Sequence, residues 1–241
     1  NPEDYTNRGR IITPLKDRFG AEVRTHYPLE LDGEVALVRQ EAALAAEVPD
    51  HLIEVLAVFT RAVRESPSVD GRSGVSARFA IAGAETVAAS ALHRATSQRE
   101  EQAVARIVDL EAAVDVLGGK VEFEAGEEGR ERDILTHLLR SATAETVRGH
   151  FRGVDLGPLV AALQGEVMVT TGEQVTARSF LDGLPPLSAR EGEPAAYEQV
   201  CERVGATGDG ERASAIELAL EGLYLARKIS KETGGGTTIY G

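Results

Sequence analysis

Leu52-Ile53-Glu54-Val55-Leu56-Ala57-Val58-Phe59-Thr60-Arg61-Ala62-Val63 decides the fold class. Leu52, Val55, Leu56, Phe59 and Val63 recur at i, i+3, i+4, i+7 and i+11, which is one face of an amphipathic helix. Pro49-Asp50 restarts the chain just before it, with Asp50 expected as N-cap. Ser66-Pro67 and Asp70-Gly71 make the loop after it. On the N-terminal side Val35, Val38 and Ala42 share a helical face. On the C-terminal side a helix is expected from about Ser76 to His93, with Phe79, Ala82, Thr86 and Ala89 as its stripe. Asp32 to about Ala95 therefore reads as a bundle of three to four helices, roughly 65 residues long.

The helical pattern continues outward. Glu100–Leu117 carries Val104, Ile107, Val108, Leu110, Val114 and Leu117 and ends at Gly118-Gly119. Lys120–Phe123 reads as a short strand, Ile134–Phe151 and Leu156–Leu163 as helices, and Gly165–Thr171 as strand or turn. After Leu184-Pro185-Pro186, Ala195–Val204 is helical. Glu211–Lys231 reads as the longest uninterrupted helix, apolar on more than one side and so central. Gly234-Gly235-Gly236 ends it, and Thr237–Tyr240 is extended, with Lys120–Phe123 as a possible pairing partner. In front of the bundle, Asn1-Pro2-Glu3-Asp4 is a turn. Pro14 opens a short helix, Leu15–Phe19, which Gly20 ends. Glu22–Tyr27 alternates as a strand. A short helix and one strand bury too little to stand alone, so they belong to a larger sheet.

Composition agrees with packed helices. Of 241 residues, 42% are hydrophobic but only 5% aromatic, Trp is absent, and Ala, Leu and Val dominate. A net charge of −13 repels a polyphosphate backbone, which argues against general nucleic-acid binding and a DNA-remodelling role. One cysteine, Cys201, excludes an internal disulfide and a Cys-based zinc site and fits a cytoplasmic protein. No apolar run approaches the ~20 residues of a membrane span, and no signal peptide is seen. The five histidines have no i, i+4 pair, so no metal site is expected.

Asn1-Pro2-Glu3, followed some fourteen residues later by Leu15-x-Asp17-Arg18-Phe19, resembles AAA+ ATPases of the magnesium chelatase I-subunit and MoxR-like branch. Gly74-Val75-Ser76-Ala77-Arg78 resembles that branch's small-x-Ser-x-Arg element, about sixty residues beyond Arg18. The resemblance implies three roles. Asn1 is sensor 1, a neutral amide that orients the attacking water. Arg18 is the arginine finger, acting in trans on a neighbouring subunit's nucleotide through its rigid fork of donors. Arg78 is sensor 2, touching the γ-phosphate from a helical lid. The implied cofactors are ATP and Mg²⁺, and the implied assembly is a ring, a hexamer. The implied partner is a von Willebrand factor A domain protein, with client remodelling or metal insertion as output. The resemblance covers residues 1–95; Gly119–Phe123 and the tail ending Thr238-Ile239-Tyr240-Gly241 match the branch's C-terminal extension less specifically.

The departures are as informative. The sequence has no Gly-x-x-x-x-Gly-Lys-[Ser/Thr] loop and no apolar strand ending in paired acids. The chain starts inside a motif, without an initiator Met, and is expected to be a C-terminal fragment whose ATP-binding loop precedes Asn1. Taken singly, each site residue has a plainer reading: Asn1-Pro2 a turn, Arg18 a surface partner of Asp17, Arg78 a helix-flanking cation, Arg8 and Arg10 a solvated loop, Cys201 a small buried residue.

The expected architecture is mainly α: the remnant of an α/β AAA+ core over residues 1–29, a helical lid over 30–97 and a C-terminal helical extension over 98–241. Lid rotation about Tyr27–Leu31 would convert phosphate loss into movement. The rival is a non-enzymatic helical protein-interaction module.

Overall fold

The computed structural model describes residues 18, 20, 21, 23, 26–71, 74–165, 167–187 and 194–241. Asn1, Arg8 and Arg10 lie outside these residues. So does most of the helix read over 15–19 and half of the strand read over 22–27. The architecture is mainly helical, with nine α-helices and one three-stranded antiparallel sheet among the described residues.

Helix α1 spans Leu31–Glu41 and α2 spans Asp50–Glu65. The face read from sequence is the face that is buried: Leu52, Val55, Phe59 and Val63 are fully enclosed and Leu56 nearly so. Asp50 opens α2 rather than capping it. Pro49 holds the cap position, and the Asp50 carboxylate accepts from Arg39 Nε at 2.7 Å.

Helix α3, Ala77–Gln98, is the longest at 22 residues. Its stripe differs from the expected one. Ala80, Gly83, Ala84, Val87, Ala88 and Ala91 face the core, while Ala82 and Thr86 are half-buried and Ala89 is exposed. With small apolar residues on both sides, packing rather than periodicity chooses the face. Arg99 ends the helix in the left-handed region, and Glu100 N–H returns to Ala95 O at 2.9 Å.

Glu100–Leu117 is not one helix. Residues 100–106 run outside helix. Glu47 forms a parallel bridge with Val104, donating from its N–H to Ala103 O at 2.9 Å and accepting from Ala105 N–H at 2.8 Å. A 3₁₀ turn, Ile107–Asp109, then leads into α4, Leu110–Leu117. Lys120–Phe123 is not a strand: Gly118–Lys120 is a second 3₁₀ turn, and Phe123 makes an isolated bridge to Val69.

Helix α5, Glu131–His150, lies along α2 on one side and along α9, Asp209–Leu225, on the other. Between them in sequence come α6 (Gly157–Leu163), strand β1 (Val169–Gly172), α7 (Ala177–Asp182) and α8 (Ala196–Val204). Helix α9 is buried on every side over Ala213–Leu223, as its all-round apolar pattern implies, and packs on α5, α7 and α8. It stops earlier than expected because Arg227 turns left-handed at φ 58° and Lys228 N–H closes on Leu223 O at 2.9 Å.

Lys231–Gly234 is therefore not helix but strand β2. It forms a hairpin with β3, Thr237–Tyr240, through Gly235-Gly236. Both glycines have positive φ, 59° and 75°, the conformation of a two-residue type I′ turn. The strand order is β1-β3-β2, so β3 pairs with β1 and β2 and not with Lys120–Phe123.

One hydrophobic cluster runs from Val38 to Tyr240. The division drawn after residue 97 coincides with the end of α3, and the core continues across it through α2, α5 and α9. No helix among the described residues is long and apolar enough to cross a membrane.

Candidate functional site

Arg78 stands in the first turn of α3, and its surroundings build up from the loop before it. Gly74 takes φ +69°, and a Cβ there would lie 3.3 Å from the Tyr27 hydroxyl. Val75 is buried, Ser76 is extended at the cap position, and Phe79 N–H closes on Ser76 O at 3.0 Å. Phe79 then packs on Phe59 with ring centroids 5.5 Å apart. With Val75 and Phe79 turned inward, Arg78 turns outward and is exposed. Among the described residues it has no hydrogen bond or ion pair.

Arg64, at the end of α2, fixes this loop. Its Nε donates to Val75 O at 2.7 Å, and Nη1 and Nη2 donate to the two oxygens of Glu34 at 2.9 and 2.7 Å. Its guanidinium lies 4.1 Å from the centroid of the Tyr27 ring. Glu34 is fully buried, so this bidentate pair is shielded from water. One side chain thus joins the segment before α1, helix α1 itself and the loop that presents Arg78.

Arg18 is exposed in a turn, and among the described residues no hydrogen bond or ion pair joins it to Arg78. Asn1 lies outside the described residues. The structure therefore places Arg78 on a defined support. Arg64, Glu34 and Tyr27 were missed as a group because the partners are thirty residues apart in sequence and Glu34 falls among solvated charges of α1.

A second polar centre has no counterpart in the sequence reading. Arg94, on the last turns of α3, donates from Nη1 to Glu100 Oε2 at 2.7 Å and from Nη2 to Asp109 Oδ2 at 3.0 Å and Val104 O at 2.7 Å. Arg106, fully buried, donates from Nε to Glu217 Oε1 at 3.0 Å, with Nη2 also on Glu217 and on Thr171 Oγ1, and from Nη1 to Val175 O at 2.6 Å. Burial alone would lower the Arg106 pKa; Glu217, Glu100 and Asp109 more than offset it, so the guanidinium stays charged. A periodic reading makes Arg106 a solvated residue of a helix. Its placement instead explains why residues 100–106 leave the helix: they carry Arg106 inward to the carboxylate of α9.

Three further groups are shifted by their surroundings. His51 Nε2 is 2.8 Å from Ser214 Oγ, and burial pushes its pKa down to about 3. Both residues are buried. Glu211 accepts from the N–H groups of Thr207 and Gly208 at 2.7 and 3.0 Å, which pulls its pKa down to about 2. Cys201 is buried, and burial raises its thiol to about 11, far from a reactive thiolate.

Among the described residues no three His, Cys, Asp or Glu side chains converge as a metal would need. The 241 residues contain no phosphate loop. Arg18 and Arg78 are both exposed cations. No protein-family model, curated protein or solved structure matches the chain.

Proposed function

We propose that the chain is the sensor, finger and lid part of a chelatase-like AAA+ ATPase, with residues 1–29 closing its α/β core. It would work in a cytoplasmic hexameric ring whose hydrolysis cycle drives a partner, a von Willebrand factor A domain protein, to remodel a client or insert a metal. The observation that carries this reading is Arg78: an exposed guanidinium in the first turn of a 22-residue helix, behind a loop anchored by Arg64.

ATP, held with Mg²⁺ by a phosphate loop absent from these 241 residues, supplies the bond that is cleaved. Arg78 neutralises charge on the γ-phosphate oxygens, and the α3 N-terminus adds its partial positive charge there. Asn1 orients the attacking water through its amide. Arg18 reaches the same oxygens from the neighbouring subunit, where a fixed fork of donors matches the spreading charge. When the γ-phosphate leaves, Arg78 would lose its anion, and the helices, joined by one core, would turn together about Tyr27–Leu31.

The test is ATPase activity of the full-length gene product. Arg18→Ala is expected to lower kcat about a thousandfold, as loss of a finger does. Mixed rings of Arg18→Ala and Asn1→Ala subunits are expected to recover activity, because each supplies what the other lacks at some interfaces. Unchanged activity in both Arg18→Ala and Arg78→Ala would leave the helical interaction module as the better reading.

A further inference from the structure

A large cavity lies far along the chain from Arg78. It is a groove of about 870 Å³ between the end of α5, helix α6 and the end of α9. That volume is within the range of small-molecule sites, about 300–1,000 Å³. Its floor is apolar: Val147, Phe151, Val154, Leu156, Val160 and Leu223. Phe151 and Leu223 are buried and the other four half-buried, so the floor belongs to the packed core.

Helices α5 and α9 meet closely at the edge of the groove. A Cβ on Gly222 would sit 2.3 Å from a methyl of Val147. Its far wall is held in place, since Gln164 Nε2 donates to Lys228 O at 3.2 Å and ties the end of α6 to the segment after α9.

The rim carries the opposite charge to the protein. Arg148, Arg152 and Lys228 line it, all exposed, and none has a side-chain hydrogen bond or ion pair among the described residues. The rim's one acid, Asp155, turns its carboxylate to Gly157 N–H at 2.9 Å. Arg148 also complements the dipole of the last turn of α5, but Arg152 and Lys228 lie beyond their helices, where that effect has faded. On a chain of net charge −13, three cations gathered at the mouth of an apolar groove select an anion there. A neutral hydrophobe would leave the cations unused, and a polyphosphate would leave the apolar floor wet.

We infer that this groove binds a free amphiphilic anion, a long-chain carboxylate whose hydrocarbon lies on the Val147–Phe151–Leu223 floor and whose head meets Arg148, Arg152 and Lys228. This site is independent of the nucleotide reading.

The experiment is calorimetric titration of the intact protein with dodecanoate below its micellar concentration, with dodecyltrimethylammonium as the cationic counterpart. One dodecanoate site per chain is expected, with the cationic amphiphile at least about tenfold weaker, a difference of ~1.4 kcal/mol. Ala161→Trp, which puts an indole into the groove from an exposed position, is expected to abolish binding. Arg148→Glu/Arg152→Glu, also at exposed positions, is expected to weaken dodecanoate and strengthen the cation, each by about tenfold. Circular dichroism checks that both variants keep the natural fold. The inference is overturned if dodecanoate does not bind as a monomer, if both amphiphiles bind alike, or if Ala161→Trp leaves binding unchanged. Recruitment to anionic lipid vesicles without binding of monomeric dodecanoate would equally overturn it.

Discussion

Replacing Glu217 by Ala removes the carboxylate that holds Arg106. Arg106 is fully buried and Glu217 is 1% exposed, so no water replaces the lost partner. The substitution deletes the acceptor of Arg106 Nε and Nη2, of the Thr171 hydroxyl and of Ile107 N–H. Breaking one side of such a pair costs about 3–5 kcal/mol, because the remaining charge stays buried without compensation. Domains of ordinary stability have only about 5–15 kcal/mol in total, so the variant is expected to lose a large share of it. Urea unfolding followed by far-UV circular dichroism reads this as a lowered midpoint at unchanged slope. The double variant Arg106→Met/Glu217→Leu is expected to be more stable than Glu217→Ala, since apolar side chains of similar size remove the stranded charge. A loss below about 1 kcal/mol for Glu217→Ala, or a double variant less stable than the single, would refute the reasoning.

Three further outcomes follow from the same kind of contact. Gly222→Ala is expected to cost about 1–3 kcal/mol by overpacking against Val147, lowering Tm by about 2–4 °C per kcal/mol, with Val147→Ala in the same chain restoring most of it. His51 has a folded pKa depressed to about 3 from 6.5, so below pH 6.5 the unfolded chain binds a proton that the folded chain refuses. Its contribution to stability is therefore complete above pH 6.5 and falls towards pH 3, by up to ~1.4 kcal/mol per pH unit; denaturation midpoints across this window should flatten in His51→Gln. Arg64→Ala is expected to lower thermal stability by about 3 kcal/mol, and Arg64→Lys not to restore it, because an ammonium cannot span both Glu34 oxygens and Val75 O.

The parts of the fold legible in sequence are those where large and polar residues alternate at a helical period. Leu52, Val55, Phe59 and Val63 leave α2 no other face to bury. In α3 the expected stripe of Phe79, Ala82, Thr86 and Ala89 keeps only Phe79 fully in the core, and the neighbouring row is buried instead, because alanine carries too little contrast to mark a side. Residues 100–117 misled for a different reason. Val104, Ile107, Leu110 and Val114 fit one helix, and only the partner of Arg106, which lies 111 residues away, shows why the chain departs from it. The C-terminal hairpin was hidden by Leu223 and Ile229, which extend the apolar pattern of α9 past the left-handed Arg227. The exposure of Arg78 follows from Val75 and Phe79 on either side; the anchoring of its loop by Arg64 rests on contacts across three segments and has no local signature.

Helix α3 holds a cation at each end, and the two are mounted differently. Arg94 near its C-terminus is locked by Glu100, Asp109 and Val104 O, a buried knot that also reaches Ala177 N–H through Glu100. Arg78, sixteen residues earlier and so about 24 Å away along the helix, projects into solvent. Between them Phe79, Ala80, Ala84, Val87, Ala88 and Ala91 are buried, so the helix is held along its length as well as at the Arg94 end. The segment that follows, residues 100–109, is tied to α9 through Arg106 and Glu217, so one end of α3 is fastened to the C-terminal helix while the other faces solvent.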